Sequence, residues 1–219
     1  MRHILITGST GMIGSVILQL AMQDDSVSKI TLVNRKSSGA IHPKITEIIV
    51  PNFMQVQQYL QGLPPIQVCY HCIGVYTGAV PTAEFNTITI DYTMAVVDAV
   101  HNNNAQAQFC LLSGMGADNT EKSNILFAKA KGKAENYMFS VLPNAYTLRP
   151  GYIYPVTKRK EPNIGYAIMR MIYKPISYLY ANIGVSSTQL ASCMYHVGIT
   201  GNSEHILDNN MIRNYSHTK

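Results

Sequence analysis

The stretch Thr7-Gly8-Ser9-Thr10-Gly11-Met12-Ile13-Gly14 constrains the fold more than any other feature of the chain. It follows a short apolar run, Arg2 to Thr7, which reads as a buried strand. It precedes Ile13 to Met22, where apolar residues at Ile13, Val16, Ile17, Leu20 and Ala21 have helical spacing. In a strand–turn–helix, glycines three apart have separate tasks. Gly8 permits the tight turn, Gly11 lets a pyrophosphate come close to the backbone, and Gly14 lets the helix pack near the sheet. The helix start adds N–H groups and partial positive charge. This context predicts a dinucleotide-binding turn made by Gly8, Thr10, Gly11, Met12 and Ile13.

The same alternation continues along the chain. Lys29 to Asn34, Ile45 to Val50, Gln67 to Ile73, Gln108 to Ser113 and Ala145 to Leu148 read as strands. Helical patterns fall at Gln55 to Leu60, Asn86 to Asn102 and Ser123 to Val141. Strand–helix alternation gives a parallel sheet covered on both faces, with right-handed crossovers. The expected class is therefore α/β, a Rossmann-like doubly wound parallel sheet. After Pro155 the pattern changes. Lys158-Arg159-Lys160-Glu161-Pro162 reads as an exposed loop, Asn163 to Tyr180 is apolar and aromatic, and Thr188 to Val197 is helical. We expect one domain over 1–219, with 156–219 as a small C-terminal cap on the substrate side of the sheet's carboxyl edge.

Composition excludes several classes. With 47% apolar and 13% charged residues over 219 positions the chain is globular, not disordered. Four cysteines are too few for a disulfide scaffold and suit a reducing, cytoplasmic compartment. The net charge of +5 comes from scattered Lys and Arg, so no nucleic-acid partner is expected. Ile4 to Ile6 is too short for a secretory leader, and Arg170, Lys174 and Pro175 interrupt the apolar stretch 164–185, so no membrane span is expected. Cys69-Tyr70-His71-Cys72 has C-x-x-C spacing, but it lies on a strand and no second pair follows; no metal site is expected. No G-x-S-x-G elbow is present to anchor a hydrolase triad.

The end of the second strand bears on cofactor choice. NAD-binding turns of this kind carry a carboxylate there for the ribose 2′-hydroxyl. This chain has Asn34-Arg35-Lys36 instead. A guanidinium grips a 2′-phosphate with a planar fork, so Asn34 and Arg35 point to NADP, with NAD the weaker alternative.

The segments ITGSTGMIGS (6–15), TLVNRK (31–36), HCIG (71–74), LLSGMGAD (111–118), AKAKGKAENY (128–137) and RPGYIYP (149–155) together resemble the short-chain dehydrogenase/reductase superfamily. The chain is most similar to its atypical branch with the Tat-interacting-protein-like oxidoreductases. The resemblance implies a nicotinamide dinucleotide cofactor and reduction of a small carbonyl substrate by hydride transfer. By position it implies that Cys72, Ile73 and Gly74 border the adenosine half, and that Pro150, Gly151 and Ile153 border the nicotinamide. It places Ser113 at the catalytic serine and Lys131 at the lysine that holds the nicotinamide ribose. One departure stands out. Catalytic members carry Tyr-x-x-x-Lys, and here Phe127 precedes Lys131. Phenylalanine moves no proton. Tyr76, Tyr137, Tyr152 and Tyr154 are the candidate substitutes. The alternative function is a catalytically silent, dinucleotide-dependent sensor or protein-interaction module, in which the apolar 163–185 region meets a protein partner.

Overall fold

The computed structural model describes residues 1–156 and 184–215. In chain order the elements are β1 (Arg2–Thr7), α1 (Met12–Gln23), β2 (Val27–Asn34), β3 (Ile45–Ile49), α2 (Val56–Leu60), β4 (Val68–His71), α3 (Thr82–Asn86), α4 (Tyr92–Asn103), β5 (Gln108–Leu112), α5 (Leu126–Val141), β6 (Ala145–Arg149), β7 (Tyr152–Tyr154), β8 (Gly184–Ser186), α6 (Ser187–Thr200), β9 (Ile206–Asp208) and α7 (Asn209–Arg213). Seven strands form one sheet in the order β3-β2-β1-β4-β5-β6-β9, and every pair in it is parallel. This is the expected doubly wound α/β fold. The strand order reverses between β1 and β4, and in such sheets the crevice at that switch point receives the ligand.

The strands are apolar throughout because both faces are covered. Successive side chains point to opposite faces. Ile4 and Ile6 therefore pack with Ile17 of α1 and Met194 of α6 on one side. Leu5 packs with Phe109, Val97 of α4 and Met138 of α5 on the other.

Two findings differ from the sequence reading. The helix expected from Asn86 starts earlier, at Thr82, and widens into a π-helical turn over Thr87–Asp91 before α4. The segment expected only to cap the sheet also helps to build it. Residues 187–200 form α6, which packs against α1 beneath the sheet. Residues 206–208 form β9, which pairs with β6 as the seventh strand. Only Leu207 of these three is buried, too little for a periodic signal. β7 and β8 form a separate two-stranded parallel sheet. The Lys158–Lys160 loop and the apolar stretch 163–183 lie outside the described residues. No helix among the described residues is long and apolar enough to cross a membrane.

Candidate functional site

A cleft of about 540 Å³ opens over the carboxyl ends of β1, β2 and β4. Of the residues singled out from the sequence, Gly8, Thr10, Gly11, Asn34, Arg35, Cys72, Ile73 and Gly74 line it, joined by Lys36. The glycine-rich turn fits a dinucleotide. Gly8 has φ +72°, and a Cβ there would lie 3.0 Å from the Cys72 carbonyl. A Cβ on Gly14 would lie 2.3 Å from the Gly8 carbonyl oxygen, so only glycine lets α1 start this close to the turn. Gly11 is exposed to the cleft as the N-cap of α1, with no capping side chain and no acid in the helix's first turn. That end offers an anion its partial positive charge. Met12 and Ile13, also expected at the cofactor, do not line the cleft; Ile13 is buried in the core beneath α1.

Asn34 is buried and fully engaged. Its Nδ2 donates to Ser9 Oγ at 2.8 Å and to Glu47 Oε1 at 2.8 Å, while Oδ1 accepts from the Ser9 amide at 3.2 Å. It therefore braces the glycine-rich turn from below. Glu47 also accepts from Ser37 Oγ at 2.6 Å and from the Ser38 amide at 2.8 Å. Burial pushes its carboxyl up, but these donors outweigh it and hold the group at about 2. Arg35 and Lys36 are exposed, and neither has a hydrogen-bond or ion-pair partner among the described residues. Asn52, at the end of the third strand, accepts from the Met54 amide and so caps the turn over 53–55.

The opposite wall of the cleft contains residues that the sequence reading missed: Phe53, Ile88 and Tyr92. The Phe53 and Tyr92 rings lie 5.6 Å apart. Ile88 and Tyr92, four apart, share one helix face, a spacing visible in the sequence but not tied to a site. His71 sets this wall. Thr93 Oγ1 donates to Thr89 O at 2.8 Å, so it accepts from His71 Nε2 at 3.2 Å, and His71 Nδ1 then accepts from Thr7 Oγ1 at 2.8 Å. Burial, helped by the Lys131 charge, pulls His71 down to about 3, so the ring is neutral.

Ser113 and Lys131 do not line this cleft. Ser113 Oγ donates to Glu135 at 2.5 Å. Glu135 is fully buried and also accepts from Thr147 at 3.0 Å, from Asn119, and from Arg149, its ion-pair partner. The sequence reading missed Glu135; its signal was the inward i,i+4 spacing from Lys131 on α5. Lys131 Nζ donates to the Leu112 carbonyl at 3.0 Å. Burial lowers it to about 8, against the opposing pull of Glu135 and Cys72. The Phe127 ring sits over Gly114, where a Cβ would lie 2.6 Å from its Cζ. Tyr137 donates to Asp98 at 2.6 Å and so ties α5 to α4. At the end of β6, the Pro150 carbonyl accepts from Met115 N and the Gly151 amide donates to Asn209. Pro150, Gly151 and Ile153 stand outside the cleft. All four cysteines are free; Cys69 and Cys110 are buried in the sheet, and burial raises their thiols.

Comparison with known proteins follows the same lines. The model of the NAD dependent epimerase/dehydratase family matches residues 4–135. "Protein FMP52, mitochondrial" of Lodderomyces elongisporus is 29% identical over 161 residues, 69% of this chain and 67% of that protein. Protein HTATIP2 of Rattus norvegicus is 23% identical over 137 residues, 61% of this chain and 55% of that one. Among solved structures, the Bordetella bronchiseptica enzyme WbmH in complex with NAD+ superposes with a TM-score of 0.69 at 17% identity, over 94% of this chain and 74% of that one. Four of the fungal relatives are named mitochondrial proteins, which overturns the cytoplasmic expectation. Reducing conditions, all that the cysteines indicate, do not distinguish the two compartments. More than half of the chain lies within the family match, and the sheet order agrees with it: the chain belongs to the NAD dependent epimerase/dehydratase family and is an atypical short-chain dehydrogenase/reductase.

Proposed function

We propose that the chain forms one dinucleotide-binding unit that takes NADP(H) in preference to NAD(H) and reduces a small carbonyl substrate. The observation that carries this reading is the cleft itself: a glycine turn open to phosphate at one end, and two exposed cations with no partner among the described residues, Arg35 and Lys36, at the other. WbmH, a neighbour in fold, is a complex with NAD+, which supports a nicotinamide dinucleotide here. The names of the fungal relatives support a mitochondrial setting.

When bound, the cofactor supplies a hydride. The chain's own residues bind it and handle the proton. Gly11 and the α1 N-terminus receive the pyrophosphate, Arg35 and Lys36 the 2′-phosphate, and Phe53, Ile88 and Tyr92 the adenine face. Ser113, or water ordered by Ser113 and Lys131, handles the proton; burial holds Lys131 near 8. A second reading, a catalytically silent dinucleotide sensor, is favoured by Phe127 on Gly114 and by the Ser113 hydroxyl donating to Glu135.

Calorimetric titration with NADPH and NADH tests the cofactor, with Gly11→Asp as control. Equal affinity for both dinucleotides overturns the NADP(H) preference. NADPH consumption with a carbonyl panel, lost in Lys131→Ala, separates the reductase from the sensor. Phe127→Tyr sharpens that test. Turnover gained by about 10²-fold would show that only the phenol was missing.

A further inference from the structure

We propose that Glu47 of β3 is a positioning residue for the adenosine end of the dinucleotide: its carboxylate braces the Asn34–Ser38 loop so that Arg35 and Lys36 meet the 2′-phosphate. This rests on the NADP(H) reading above and names the residue that sets the preference. Oε1 accepts from Asn34 Nδ2 at 2.8 Å and from the Ser38 amide at 2.8 Å; Oε2 accepts from Ser37 Oγ at 2.6 Å. These donors lie on both sides of Arg35 and Lys36 in the chain. The loop backbone is therefore tied down while the two cationic side chains stay exposed.

Glu47 also settles the orientation of Asn34. A carboxylate only accepts, so the amide must turn Nδ2 toward it. That leaves Oδ1 to accept from the Ser9 amide at 3.2 Å. One carboxylate thereby links the ribose-end loop to the phosphate turn.

Two effects of Glu47 on a bound phosphate have opposite signs. Its charge repels the phosphate, and its bracing spares the loop from being ordered on binding. The charge is partly exposed to water, which screens it, and is shared among three hydrogen bonds. Bracing therefore prevails, and removing the carboxylate weakens NADPH binding even though a negative charge has left.

The test is calorimetric titration of the whole chain with NADPH and with NADH, for the wild type, Glu47→Ala, Glu47→Gln and Ser37→Ala. In Glu47→Ala the two bonds between Asn34 and Ser9 remain and keep the glycine turn braced, so NADPH weakens about tenfold and NADH less than about twofold. Glu47→Gln keeps an acceptor oxygen for Asn34 and Ser38 and stays within about threefold of wild type. Ser37→Ala, an exposed change that spares the fold, lowers NADPH affinity alone by about threefold and carries the test if Glu47→Ala does not fold. Equal weakening of both dinucleotides, an unchanged ratio, or tighter NADPH binding overturns the role of Glu47 while leaving a wild-type NADPH preference intact. A wild type without preference overturns the NADP(H) reading and this proposal together.

Discussion

At the scale of single residues, the site is decided by who bonds to whom. Asn34 looks like a cofactor ligand from its place in the chain, yet all its polar atoms are taken by Ser9 and Glu47. Asn34→Asp would put a second carboxylate against Glu47 Oε1 and remove the donor. We expect a loss of about 2–3 kcal/mol at pH 7 by urea unfolding, with a smaller loss at pH 5, where one carboxyl takes up a proton. NADPH affinity falls with it. Gly8→Ala tests the turn. At φ +72° and 3.0 Å from the Cys72 carbonyl, a methyl group costs about 1–3 kcal/mol, and dinucleotide binding is lost in titration.

At the scale of elements, short polar links hold the sheet's neighbours in place. Thr93 sits where the π-helical turn meets α4, and it joins His71 to Thr89. Thr93→Val would leave His71 Nε2 without an acceptor inside the core. Urea unfolding should show a loss of about 1–3 kcal/mol, and NADPH affinity should fall because Ile88 and Tyr92 are carried on the same turn. Ser186 gives the contrasting case. It closes a capping box on α6, accepting from Gln189 N while the Gln189 side chain accepts from its amide. Ser186→Ala should lower stability by about 1 kcal/mol and leave dinucleotide affinity unchanged, since α6 packs under the sheet, away from the cleft.

At the scale of the whole molecule, buried titratable groups make stability depend on pH. His71 is held near 3 in the folded chain against about 6.5 unfolded, so between these values the unfolded chain binds the extra proton. Stability therefore rises with pH from about 3 to 6.5, with a slope of up to about 1.4 kcal/mol per unit from this one group. Urea titrations across that window should show the slope flattened in His71→Gln; an unchanged slope would place its origin elsewhere. Much of the fold was legible beforehand, for a definite reason. Buried parallel strands are continuous apolar runs, helices carry a 3.6-residue period, and the glycine turn needs glycine for its own backbone geometry. These are local demands, so β1 through β6 and the glycine turn could be read from the residues alone. Tertiary structure decided the rest. Leu207 joins a seventh strand only because β6 offers an edge, and Glu47, Glu135 and His71 acquire their roles from partners 9 to 64 positions away. The chain by itself determined that a dinucleotide-type sheet would form. Folding determined which polar groups hold it together and which, like Arg35 and Lys36, stay exposed with no partner among the described residues, because hydrogen bonding is settled by proximity in space and not by order along the chain.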